Sequence, residues 1–248
     1  MKVSVITPTT GNPLFANCIK SVNEQTYENI QHLIFIDGPT NADKAYNQLE
    51  DANVLGVGKV DVIDLPYSIG KDRWNGHRMY GAANFIADGD FFIWLDEDNF
   101  LSPNHVESLV NLVQKEKLDW AYSFRNIVDT QHNFLCEDNC ENLGVWKSVL
   151  NDNFVDVNCF FIKKELSVQL APIWYRKARE PNVPEVDRVL SAVLFDVKNN
   201  LKYNTTKQYT LNYTAANSTV SVQPEFFIRG NEEMMKRYNG ALPWRNEI

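Results

Sequence analysis

The sequence predicts an α/β fold in which a mostly parallel sheet is flanked by helices, followed by a less regular C-terminal half. Three observations carry this. Strand-like and helix-like segments alternate four times within residues 1–115, the pattern of a parallel sheet with helical crossovers. The strand-like segments are short, nearly continuous apolar runs, as expected of strands covered on both faces. Polar clusters follow three of these runs: Thr7-Pro8-Thr9, Asp37, and Asp96-Glu97-Asp98. Open sheets of this kind bind ligands at the carboxyl ends of their strands.

Residues 2–7 are β-branched and apolar and stop at Pro8 and Gly11, which reads as a buried strand and a loop. Phe15, Ile19 and Val22 recur at helical spacing with Cys18 on the same side. Residues 30–36 are a second strand ending at Asp37-Gly38-Pro39, residues 41–55 a helix and residues 60–65 a third strand. The stretch 70–90 begins polar and basic and becomes helical through Met79, Ala82, Ala83 and Ile86. Residues 91–95 are a fourth strand that breaks into the acidic turn. Ser102 is placed to cap a helix opened by Pro103, with Val106, Leu109, Val110 and Val113 as its apolar face.

Beyond residue 115 the reading is coarser. Strands are expected at 120–128, 155–163 and 207–213, helices at 184–195 and 232–238, and a Ser/Thr/Asn-rich loop at 214–221. No Gly/Ser-rich or Pro-rich linker interrupts the chain, so a single domain of 1–248 is expected. Its 1–115 half would bind a ligand and its 116–248 half an acceptor.

The chain has 248 residues and a formal charge of −8, a balance that does not indicate a nucleic-acid surface. No run approaches the roughly 20 apolar residues of a membrane span. The N-terminus reads as a strand rather than a secretory leader, so a soluble, cytoplasmic protein is expected. Cys18, Cys136, Cys140 and Cys159 lack the four-ligand spacing of a zinc site and read as reduced thiols.

Asp96-x-Asp98 is the sharpest chemical feature. Two carboxylates closing a buried strand are costly without partners. A hard divalent cation is a natural partner, because Mg²⁺ takes oxygen ligands and shares them with substrate phosphates. Lys71, Arg73 and Arg78 could supply cations to a diphosphate, Arg through paired hydrogen bonds. Glu185-x-Asp187 opens a helix, where acids also favour the helix dipole. Trp146 and Trp174 are candidates to meet an acceptor through their ring faces.

The segments VSVITPT, SVNEQTY, IFIDGP and WLDEDNFLSP, in that order and spacing, resemble family 2 glycosyltransferases of the GT-A fold, closely over residues 1–115 and loosely beyond. The resemblance implies transfer of a sugar from a nucleotide-diphosphate donor, UDP by preference, to the hydroxyl of a glycan, lipid, protein or other acceptor. It implies that Thr7, Pro8 and Thr9 line the nucleoside pocket and that Asp37 meets the base. It further implies that Asp98, with Asp96, holds Mn²⁺ or Mg²⁺, that Glu97 stands beside them, and that Arg78 contacts phosphate. Asp187 resembles the base of an inverting displacement. Ile36 and Val186 stand where the family has additional acids. Many relatives add a late His to the metal, whereas His32, His77, His105 and His132 all precede Asp187. The metal is therefore expected to rest on carboxylate, phosphate and water, with His105 on a helix surface and His32 in a strand. Two rivals are a sugar-nucleotide nucleotidyltransferase, which would carry a Gly-rich basic loop after the first strand, and a non-catalytic binding module of the same fold.

Overall fold

The structure, a computed structural model, describes residues 1–55, 59–176, 186–218 and 221–245. Nine strands form one sheet in the order β3-β2-β1-β4-β8-β6-β9-β5, with β7 added on β6. The N-terminal part is parallel throughout. β1 (Val3–Thr9) lies between β2 (Ile30–Ile36) and β4 (Phe91–Trp94), and β3 (Val60–Asp64) lies outside β2. Every residue of β1, β2 and β4 is buried, because α1 (Phe15–Asn23), α2 (Ala42–Asp51), α3 (His77–Ile86) and α4 (His105–Glu116) supply apolar faces to the sheet. Pro8 is tolerated in this central strand because β4 pairs with β1 only as far as Ile6↔Trp94. Beyond that point β1 pairs with β2 alone.

The second half returns to the same sheet by long-range pairing. β6 (Trp120–Val128) pairs parallel with β9 (Tyr203–Thr214). β8 (Phe160–Lys163) is antiparallel to both β4 and β6. β9 carries its last residues back to the acidic turn, where the Thr214 N–H donates to Asn99 Oδ1 at 2.9 Å and the Thr214 hydroxyl to the Asp98 carbonyl at 2.5 Å. β5 (Phe100–Leu101) pairs with β9, and β7 (Phe134–Glu137) with β6.

Several expectations are corrected. The helix expected from Pro103 begins at His105, with Ser102 accepting through its carbonyl rather than capping by its side chain. His105 is fully buried, not on a helix surface, and its Nδ1 meets Thr210 Oγ1 of β9 at 2.8 Å. The run 155–163 is a strand only from Phe160. Asp156 accepts from the Asn158 N–H and winds residues 157–159 into a 3₁₀ turn, the local competition with strand pairing that Asp side chains offer. The strand at 207–213 extends to Tyr203–Thr214. The C-terminal helix α7 (Pro224–Arg237) opens at a proline and buries Phe227, Gly230 and Met234. α5 (Lys164–Leu170), β5 and β7 were not foreseen. α6 (Val186–Leu194) carries Asp187 in its first turn. Glu185 lies outside the described residues.

Candidate functional site

The open ends of β1, β2 and β4 surround a cavity of about 480 Å³ whose lining includes Pro8, Thr9, Asp37, Asp96, Glu97 and Asp98. A second cavity of about 230 Å³ adjoins it and is lined by Tyr80, Asp156, Trp174, Asp187 and Tyr213 among others. Asn75, Gly76 and Asp96 face both. The carboxylates predicted for the strand ends and the acid of α6 thus meet across Asp96, although Asp96 and Asp187 are far apart in sequence.

The acidic turn is built tightly. Asp96 accepts from the Tyr80 hydroxyl at 2.6 Å and from Asn158 Nδ2 at 2.9 Å, and its N–H donates to Asn158 Oδ1 at 2.6 Å. Burial, set against these hydrogen bonds, raises its pKa. Asp98 takes a hydrogen bond from the Asn217 amide. Burial, reinforced by the charges of Asp96 and Glu97, pushes Asp98 up to about 7. No Lys or Arg is among the described residues lining the larger cavity. Carboxylates whose ionisation is held back by burial, and at Asp98 also by neighbouring charge, are ones that a divalent cation relieves. These donors fit such a cation in part. Among the described residues no group of three or more His, Cys, Asp or Glu could hold a metal, so other ligands would have to come from phosphate, water or the neighbouring amide of Asn217.

Glu97 is a loop organiser. Its carboxylate accepts from the Thr9 and Thr10 hydroxyls at 2.6 and 2.8 Å and from the Thr10 and Asn12 N–H groups at 3.1 and 2.9 Å, fixing the 9–12 loop over the cavity. Asp37 does the same for the opposite rim. It accepts from the Ser68 hydroxyl at 2.7 Å and from the Ile69 and Gly70 N–H groups at 2.7 and 3.1 Å. Gly70 is required there, since a Cβ would stand 2.7 Å from Asp37 Oδ2 and 2.6 Å from the Asn75 carbonyl.

Several of the predicted contacts lie away from both cavities. Thr7 does not line either cavity. Its side chain is fully buried and its hydroxyl lies 3.0 Å from His32 Nε2. Arg78 also lines neither, and its guanidinium stacks 3.7 Å from the ring centroid of Trp74 in the turn that precedes α3. Lys71 and Arg73 are exposed and absent from both linings. Trp174 lines the smaller cavity, while Trp146 packs between Phe124 and Trp244.

Asp187 accepts from the Arg188 N–H at 2.8 Å. Burial first, then the nearby Asp156 charge, push it up to about 7. A carboxylate poised there can take a proton at neutral pH. Sequence reasoning missed Tyr80, Asp156, Asn158 and Asn217. A signal existed for two of them, since Asp156 and Asn158 are the polar residues of an otherwise apolar run.

The sequence model of glycosyl transferase family 2 matches residues 4–135 of the 248. No curated protein sequence matches the chain significantly. Among solved structures, S. aureus TarS 1–349 is 14% identical with a TM-score of 0.62, the alignment covering 96% of this chain and 72% of that one. The same protein in complex with UDP-GlcNAc gives a TM-score of 0.63 at 14% identity, covering 97% and 67%. The mannosyltransferase PcManGT from Pyrobaculum calidifontis, in complex with GDP-Man and Mn²⁺, gives 0.57 at 14% identity, covering 82% of this chain and 54% of that one. Likeness at these identities is a likeness of fold.

Proposed function

This chain belongs to glycosyl transferase family 2, and on that premise we propose that it moves a sugar from a UDP-linked donor to an acceptor hydroxyl with inversion at the anomeric carbon. The observation that carries the reading is the pair of joined cavities, one rimmed by Asp96, Glu97 and Asp98 and the other by Asp187, with Asp96 facing both. The first suits a nucleoside diphosphate at the strand ends and the second an attacking hydroxyl. Structural relatives that hold UDP-GlcNAc or GDP-Man support the donor class.

Pro8, Thr9 and the Glu97-ordered loop flank the nucleoside on one side. Asp37 shapes the other through the Ser68 hydroxyl and the 69–70 backbone, with its carboxylate already engaged there. Asp98 and Asp96 would hold Mn²⁺ or Mg²⁺, which supplies charge neutralisation to the departing diphosphate. Asp187 removes the acceptor proton as the hydroxyl oxygen bonds to the anomeric carbon. The bond from that carbon to the diphosphate oxygen breaks with its electron pair, and UDP leaves.

Calorimetric titration of UDP, GDP, ADP and CDP, with and without Mn²⁺, tests the reading on wild type and Asp98→Ala. UDP binding that requires Mn²⁺ and is lost in the variant supports it. Binding of no nucleoside diphosphate by a folded wild type overturns it.

A further inference from the structure

The groups that hold Asp96 also hold the helix of Asp187. Asn158 Nδ2 donates to Asp96 Oδ2 at 2.9 Å and to Asp156 Oδ1 at 2.8 Å. Both hydrogens of this amide are thus spent between two carboxylates, while its Oδ1 accepts the Asp96 N–H. The other oxygen of Asp156 is paired with Arg125. Arg125 also donates through Nε to Asp138 at 2.8 Å and through Nη2 to Glu141 at 2.7 Å. The second oxygen of Glu141 accepts from Arg188 Nη2 at 2.6 Å, and Arg188 follows Asp187. Ser191, one turn along α6, accepts the Val155 N–H at 3.0 Å. Asn158 and Arg125 are each only 1% exposed. A continuous chain of buried and half-buried hydrogen bonds therefore runs from the shared carboxylate Asp96 to the helix that presents Asp187.

Buried ion networks seldom exceed well-packed apolar residues as a source of stability. What this one does supply is a tether, since Asn158 lines neither cavity yet contacts Asp96, which faces both, and Asp156, which lines the smaller one. We propose that Asn158, backed by Asp156 and Arg125, is a positioning residue that sets Asp96 relative to Asp187. The attacking oxygen and the leaving diphosphate are thereby held at one separation. The inference rests on the roles proposed above for Asp96 and Asp187. Misplacement of reacting groups by about 1 Å costs on the order of a hundredfold in rate, which sets the scale of the effect.

The test compares wild type with Asn158→Ala, Asn158→Asp and Asn158→Ser. It uses melting, UDP affinity in Mn²⁺, the kinetics of UDP-sugar hydrolysis or transfer, and crystal structures of wild type and the folded variants. Folded Asn158→Ala is expected to bind UDP within about threefold of wild type, while kcat falls by about ten- to a hundredfold at a nearly unchanged donor KM. Asn158→Asp has the same shape but replaces the amide donors by a third carboxylate, and falls at least as far. Asn158→Ser keeps one donor and recovers part of the loss. A kcat within threefold of wild type in folded Asn158→Ala overturns the proposal, as does a loss confined to UDP affinity. If wild type uses no UDP-sugar, the functional reading fails by itself and the crystal structures decide the relay. A changed Asp96–Asp187 separation in the Ala or Ser variant supports it, and an unchanged one overturns it.

Discussion

On the mechanism proposed above, replacing Asp187 by Asn removes the proton acceptor while keeping the shape of the side chain. A positioned general base contributes about 10²–10⁴ in rate, so kcat is expected to fall by that factor while UDP affinity stays near wild type. The pH dependence identifies the group. Asp187 is pushed up to about 7 by burial and by the Asp156 charge, and a carboxylate serving as the proposed base acts only when ionised. Wild-type activity therefore rises with pH and levels off above about 7. At pH 6 roughly a tenth of the carboxylate is ionised and activity is roughly a tenth of the plateau. Asp98 is also pushed to about 7, but a bound divalent cation favours its ionised form. An Asp98 limb thus moves to lower pH as Mn²⁺ is raised, whereas an Asp187 limb moves much less. Initial rates of UDP release between pH 5 and 9 at saturating Mn²⁺ make the measurement. A wild-type profile flat across pH 6–8, or an Asp187→Asn variant with more than about a third of wild-type kcat, refutes the assignment.

Mn²⁺ at about 100 times its dissociation constant adds about 2.7 kcal/mol to the folded state. For a chain of this length that raises melting by about 5–11 °C. Differential scanning fluorimetry is expected to show the shift in wild type and not in Asp98→Asn. Without metal, Asp98→Asn melts above wild type at pH 8. The raised native pKa means the charged carboxylate is disfavoured in the fold at every pH above its unfolded value near 4, so the gain shrinks toward pH 4 and equal melting at pH 8 contradicts it. Arg125→Met strands the buried acids Asp138, Glu141 and Asp156 and costs about 3–5 kcal/mol in urea unfolding at pH 7. Although burial opposes it, Arg125 with three backbone N–H groups keeps the Asp138 pKa low. The stability gained there is present above the ordinary carboxylate pKa and lost as pH falls through the native one. The gap to Arg125→Met therefore narrows in acid, and a pH-independent gap would show that Arg125 acts through packing alone. Gly70→Ala drives a Cβ against Asp37 Oδ2 and is expected to weaken UDP at least about tenfold with the fold intact, as read by calorimetry.

The parallel half was legible because its signals are local. The apolar run 30–36 coincides with β2, and the polar clusters at the strand ends do gather at one cavity, except Thr7. That residue lies inside the paired length of β1, opposite Ile34, where a hydroxyl is used by the buried His32. Arg78 stacks on Trp74, four residues earlier in the turn before α3, a pairing that charge alone does not suggest. The partners of Asn158, Tyr80 and Asn217 were illegible for a different reason. They lie 62, 16 and 119 residues away, and a single polar residue carries no mark of which distant carboxylate it will meet. His105 was read as a helix-surface residue for the same reason, since Thr210 stands 105 positions on.

The second half therefore completes the site by register rather than by motif. β8 returns antiparallel to β4, which places the Asp156–Asn158 turn against Asp96. β9 returns parallel to β6 with Thr214 opposite Val128, which delivers Thr214 to Asp98 and Asn99 and leads the chain to Asn217. A one-residue slip in either strand reverses which side chains face the core and removes these contacts while leaving the acidic turn's sequence unchanged. The irregularities between Tyr122 and Arg125 in the β6–β9 ladder fall where Arg125 must reach three acids at once. Bulges of this kind re-aim side chains beside functional sites. The donor-side motif specifies only where carboxylates end a strand. Whether they work with Asp187 is decided by how the remaining strands are registered on that frame.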